Sequence, residues 1–182
     1  MTATSWEIDH GHSSVNFTVR HLMVSKVHGR FARWTGVLEL DPEDITRSSV
    51  DVTIDATSVE TKEERRDAHL RSADFLDVEN FPTLTFRSTA VERVSDDELA
   101  VTGDLTIHGV TRSVKLAVEV GGEVKDPWGG TRAGFSAKTM ISRKDYGLTW
   151  NALLEAGGVA VADRVDIGIE IEAVKAAVGQ AA

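Results

Sequence analysis

Apolar residues return at every second position through most of the 182-residue chain, and this period restricts the fold more than any other feature. A two-residue repeat puts one set of side chains on one face of an extended strand, which no helix does. Val15, Phe17 and Val19 form a first such face, continued by His21. Trp34, Gly36, Leu38 and Leu40 form a second, and Val50, Val52, Ile54 and Ala56 a third. Leu84, Phe86 and Ser88 follow Pro82, while Leu99 to Ile107 and Val114 to Val120 flank a turn. Ala133 to Ile141 and Val165 to Ile171 bring the number of strands to about eight. Two-faced strands of this kind call for antiparallel pairing around a packed or enclosed interior.

Turn residues separate the strands at Asp41-Pro42-Glu43-Asp44, Asp96-Asp97-Glu98, His108-Gly109-Val110-Thr111 and Asp126-Pro127-Trp128-Gly129-Gly130. One segment, Lys62 to Arg71, reads as helix. Thr61 is its expected N-cap, Glu64 completes a capping box, and Asp67 and Arg71 stand four apart. The expected class is all-β with one short helical insertion, as a sandwich or a closed barrel. The inward set mixes Gly36, Ala56, Gly103, Ala133 and Ala137 with Phe17, Trp34, Phe86 and Phe135. Small residues facing inward leave room that a solid core would have to fill, which favours a hollow barrel. A single domain is expected over residues 1–182, with a core from about 5 to 174 and a fraying tail at 175–182.

Composition narrows the function. A chain of this length buries about 70% of its unfolded surface, enough for a core of its own. Its 20 basic and 29 acidic residues give a net charge of −9, which repels nucleic-acid backbones and anionic lipid headgroups. With no cysteine there are no disulfides, thiolate nucleophiles or cysteine-held metals. Met1 to Glu7 lacks the basic and apolar regions of a secretory signal, so the expected location is cytoplasmic. The most apolar stretch, Gly147 to Ala162, contains Asn151 and Glu155, and no stable membrane insertion is expected.

No nucleophile elbow, P-loop or dinucleotide motif is present. The histidines offer one enzymatic alternative, a metal-assisted hydrolase using His10, His12 and His21. Otherwise Arg66, His69 and Arg143 stand out as cations able to meet an anionic or polar head. A third alternative is a structural or stress-related barrel whose interior is filled.

Several blocks then combine. Trp6-Glu7-Ile8-Asp9, His12-Ser13, the run Val15 to Leu22, and Gly29-Arg30-Phe31 resemble the opening of the YceI-like family. Arg66-Asp67-x-His69-Leu70-Arg71-Ser72-x-Asp74-Phe75-Leu76-Asp77, followed by Phe81-Pro82-x-Leu84-x-Phe86-x-Ser88, is similar to its most distinctive block. Gly103 to Thr111, Ser142 to Gly147 and Asp163 to Ala173 resemble its hairpin, its later motif and its last strand. Glu63 stands where relatives often carry Asn, and Tyr146 where Phe is common. The resemblance implies an eight-stranded antiparallel lipocalin-like barrel with a helix. It also implies an elongated apolar pore that binds a polyisoprenoid or other long-chain lipid, with no catalytic residue, metal or cofactor. Many relatives are periplasmic. The expected pore lining is Phe17, Val19, Trp34, Phe86, Leu105, Phe135 and Ile141, with His21, Arg66, His69 and Arg143 near the ligand's polar head. Barrels of this kind also pair through exposed strands or loops, so a homodimer is a further expectation.

Overall fold

The computed structural model describes residues 3–177, and one eleven-stranded sheet carries the fold. The strands are β1 (Thr4–Ile8), β2 (Ser14–His21), β3 (Ser25–Phe31), β4 (Trp34–Leu40), β5 (Ser49–Asp55), β6 (Val59–Glu60), β7 (Thr83–Arg93), β8 (Glu98–Ile107), β9 (Val110–Lys125), β10 (Thr131–Ser142) and β11 (Val161–Lys175). Helix α1 (Glu64–Arg71) lies between β6 and β7. The order β1-β4-β5-β7-β8-β9-β10-β11 closes through an antiparallel β1–β11 pair, giving an eight-stranded barrel without open edges. Toward the helix end, β2 replaces β1 beside β11, and β3 and β6 extend the wall. The chain bends between β1 and β2 at a 3₁₀ turn, His10–His12, whose first residues the Asp9 side chain caps.

All eight alternating segments are strands, and β1, β3 and β6 add to them. Ala56 does not extend β5; it opens a 3₁₀ turn capped by Asp55. The helix begins later than its sequence suggests. Glu63 is the N-cap, accepting from the amides of Arg65 and Arg66, while Lys62 takes a φ of 63°. Thr61 is buried and donates its amide and hydroxyl to Asp67 instead. With Asp67 so engaged, Arg71 pairs with Glu64 at 2.9 Å. At the other end, Lys175 belongs to β11 opposite Trp6, and residues 178–182 of the expected tail lie outside the described residues.

Of the small inward residues, Ala137 lines the cavity as expected, whereas Gly36, Gly103 and Ala133 act differently. A Cβ at Gly36 would lie 2.7 Å from Ile8 Cδ1, and one at Gly103 would enter the Phe86 ring. Gly29, directly opposite Phe17 across β2 and β3, likewise accommodates the Phe17 ring. Ala133 belongs to a separate end core with Trp6, Leu38, Leu40 and Ala173. These residues give neighbouring rings and side chains a bed in the wall, and the lumen stays open because the rings lie against it. Gly103→Ala should therefore destabilise the barrel by about 1–3 kcal/mol. Besides the ring, the new methyl would sit 2.6 Å from the Arg87 carbonyl, which cannot rotate away. An unchanged urea midpoint would contradict this.

Ion pairs fasten the end away from the helix. Arg132 on β10 meets Asp126 at 2.9 Å, Asp9 at 2.8 Å, and Glu172 on β11. Hydrogen bonds from Arg132 and then His12 hold the Asp9 carboxyl down at about 2, against an unfolded value of 3.8. Its ionised form thus stabilises the fold above the unfolded value, and that stability is lost as pH falls through about 2. His12 has the opposite sign. Asp9 raises its pKa, so its contribution is complete below 6.5 and fades as pH rises through the folded value. The urea midpoint should fall from about pH 4 to about pH 2. Arg132→Met should lower the midpoint at neutral pH and flatten that acid limb; an acid limb of unchanged slope would refute the assignment.

No helix among the described residues is long and apolar enough to cross a membrane.

Candidate functional site

The barrel encloses a cavity of about 450 Å³. That lies within the range of small-molecule sites, roughly 300–1,000 Å³. The lining on β10 runs from Phe135 to Ile141 and on β11 from Val161 to Ile171. At about 3.3 Å per residue these are some 20 and 33 Å of strand, so the cavity is elongated. Its floor adjoins the end core of Trp6, Leu38 and Leu40, and its other end lies under α1. The interior is not filled, which removes the solid-barrel alternative.

All seven apolar residues proposed from the sequence line this cavity. Trp34 is 8% exposed and carries the His10 ring against it at 4.5 Å. Phe86 and Leu105 are cross-strand partners on β7 and β8. Phe135 and Ile141 mark the two ends of the β10 wall, and Phe17 and Val19 come from β2.

The four polar candidates also reach the cavity, all at the helix end, but they are not equivalent. His21 is exposed at the end of β2. Arg66 and His69 stand one turn apart on α1. Arg66 uses Nε and Nη2 to hold the Thr61 hydroxyl and carbonyl, at 2.7 and 2.8 Å. Its Nη1 makes no hydrogen bond among the described residues. His69 sets Nε2 on Asp74 at 2.8 Å and its ring edge-on to Phe75 and Trp150.

Arg143 is not a free fork for a ligand. Its side chain is 4% exposed, and four carbonyls take its protons: Ala162, Leu148, Trp150 and Val161. Asp163 lies 3.6 Å away and the Phe75 ring 6.0 Å. Burial pulls its pKa below the usual arginine value while Asp163 opposes the shift. Its position explains the arrangement, because Leu148, Trp150 and Val161 are themselves cavity wall. Arg143 thus fastens the loop 147–160 as one side of the cavity.

The sequence reading missed Phe75 and Trp150, whose rings lie 5.3 Å apart and complete this end. Neither sits in an alternating run, so periodicity could not reveal them. Phe75 lies inside the distinctive block from Arg66 to Asp77, which is the one sequence signal near it.

The three histidines of the hydrolase alternative do not converge. His10 packs on Trp34, His12 sets Nδ1 on Asp9, and His21 ends β2. Seven residue steps separate the start of β2 from His21, about 23 Å of strand. Among the described residues, Asp9, His12 and Glu172 do approach one another closely enough for a metal. Arg132 Nη1 already bonds to both carboxylates, so each has a cationic partner within the protein.

A family model for the YceI-like domain matches residues 6–173. Protein YceI of Escherichia coli O157:H7 is 42% identical over 164 residues, covering 90% of this chain and 82% of that protein. Among solved structures, Burkholderia cenocepacia BcnA matches with a TM-score of 0.80 and 22% identity, covering 91% of this chain and 99% of that one. A polyisoprenoid binding domain from Saccharophagus degradans matches with a TM-score of 0.66 and 16% identity, covering 97% and 100%. At these identities the two structures are alike in fold.

Proposed function

The chain belongs to the YceI-like domain family, and from that premise we propose that it binds one long-chain isoprenoid or related lipid in its cavity, without catalysis, for carriage or storage. The observation that carries this reading is the elongated apolar cavity, whose lining residues Arg20, His21, Arg66 and His69 gather at the helix end. A tail enters among Phe17, Trp34, Phe86 and Phe135, and a polar head stays near His21, Arg66 and His69. The fold shared with a polyisoprenoid binding domain supports the same ligand class.

Affinity then comes from the tail. Each buried methylene contributes about 0.8 kcal/mol, before the cost of ordering a flexible chain. In a series of prenols of increasing length, binding should tighten with every prenyl unit until the cavity is full, then level off. Native mass spectrometry with detergent-free protein reads both the stoichiometry, expected as one, and the plateau. Affinity independent of tail length would overturn the reading.

A further inference from the structure

The loop joining β2 to β3 breaks a local rule. Leu22 and Met23 adopt φ of 52° and 63°, a pair of positive values that favours Asn-Gly and disfavours bulky side chains. The turn is nevertheless well held: Leu22 donates to the Ala160 carbonyl at 2.8 Å and Val24 to that of His21 at 3.2 Å. The side chains so displayed meet little. Met23 is 63% and Val24 81% exposed, and Leu153 on the adjoining loop 147–160 is 88% exposed. Gly158 of that loop lies beside Met23, so the two apolar tips are neighbours.

Charge distribution says what covers them. In a chain carrying 29 acidic residues, positions 10–38 contain none, but include Arg20, Lys26, Arg30 and Arg33 with His10, His12, His21 and His28. Arg30 and Arg33 pair with Glu60 and Asp55. Arg20 and Lys26 face each other across the β2–β3 pair, just behind the tip, and make no ion pair among the described residues. Glu155 is the one acidic residue in the adjoining loop. The global charge of −9 acts weakly here, because charges beyond about 8–10 Å are screened at physiological salt. Arg20 and His21 also line the cavity, so the basic apolar tip sits at its helix end.

We infer that this tip docks on an anionic lipid bilayer, with Leu22, Met23, Val24 and Leu153 entering the interface and Arg20 and Lys26 meeting lipid phosphates. Apolar side chains backed by cations are what such a surface recognises. Docking there brings the helix end of the cavity to the membrane, where a long-chain lipid would be taken up or released. The inference rests on the lipid-binding reading for its purpose, but the two are measured separately.

The test is co-sedimentation with vesicles of phosphatidylcholine alone and of an equimolar mixture with phosphatidylglycerol. Wild-type protein should sediment with the anionic vesicles, less so as salt rises. Leu22→Asn with Met23→Gly gives the turn its preferred residues, so the variant should fold at least as stably while losing most vesicle binding. Lys26→Gln, which removes a cation that does not line the cavity, should reduce binding by about fivefold. Both variants should still take up a soluble short-chain prenol as wild type does, which separates docking from cavity binding. Failure of wild type to sediment with either vesicle, or equal sedimentation of the Asn-Gly variant, would overturn the inference. So would a wild-type dimer in analytical ultracentrifugation that the Asn-Gly variant dissociates, since the tip would then join two copies of the chain.

Discussion

Ala137→Trp is expected to weaken binding of a long prenol by two to three orders of magnitude while leaving the barrel folded. Ala137 lies on β10, paired with Val118 and Ile169, and its side chain lines the cavity. An indole there enters open space, so the strain of enlarging a packed core is avoided. What it displaces is ligand. Excluding one five-carbon prenyl unit removes roughly 3–4 kcal/mol of transfer energy, which sets the size of the effect. The chain-length series shows it directly: short prenols bind nearly as to wild type, and the plateau moves to a shorter tail. Wild-type affinity for long prenols in a cooperatively folded variant would place the ligand outside the cavity.

Arg143→Ala is expected to cost about 3–5 kcal/mol of stability, the range for breaking a buried charged network. Its Nε and both Nη groups hold carbonyls on two separate stretches, Leu148 and Trp150 on one side and Val161 and Ala162 on the other. Removing the guanidinium takes its donors from the Leu148, Trp150 and Ala162 carbonyls in a protected place. Asn151, which bonds the amide and carbonyl of Val161, holds only part of the same junction. Hydrogen exchange should quicken first in the loop 147–160, before the barrel strands. Arg143→Lys should recover little, since one ammonium has three donors in a different geometry. A loss below about 1 kcal/mol would mean that the carbonyls find other partners.

The strands were legible because each long one is wet on one face and apolar on the other. β3 escaped notice for a specific reason. Its inward row is Val27, Gly29 and Phe31, and the middle member is glycine because the Phe17 ring lies across it. β6 has two residues and carries no period. The helix start was misplaced because Thr61 followed by Glu64 matches a capping box, yet Asp67 draws the Thr61 hydroxyl away and Glu63 caps with both oxygens. Arg143 marks the deeper limit. A sequence shows that an arginine is present, but its role depends on whether carbonyls remote in the chain converge on it. The apolar lining followed the strand pattern, whereas Phe75 and Trp150 come from irregular segments whose placement depends on contacts formed elsewhere.

The most direct test is a crystal structure of protein purified without detergent and incubated with a long-chain polyprenol. One continuous chain of density should run inside the barrel from near Leu40 to the space beside His69 and Trp150, with the polar head toward Arg66. Side chains closing that space, or the prenol bound only on the outer surface, would contradict the account.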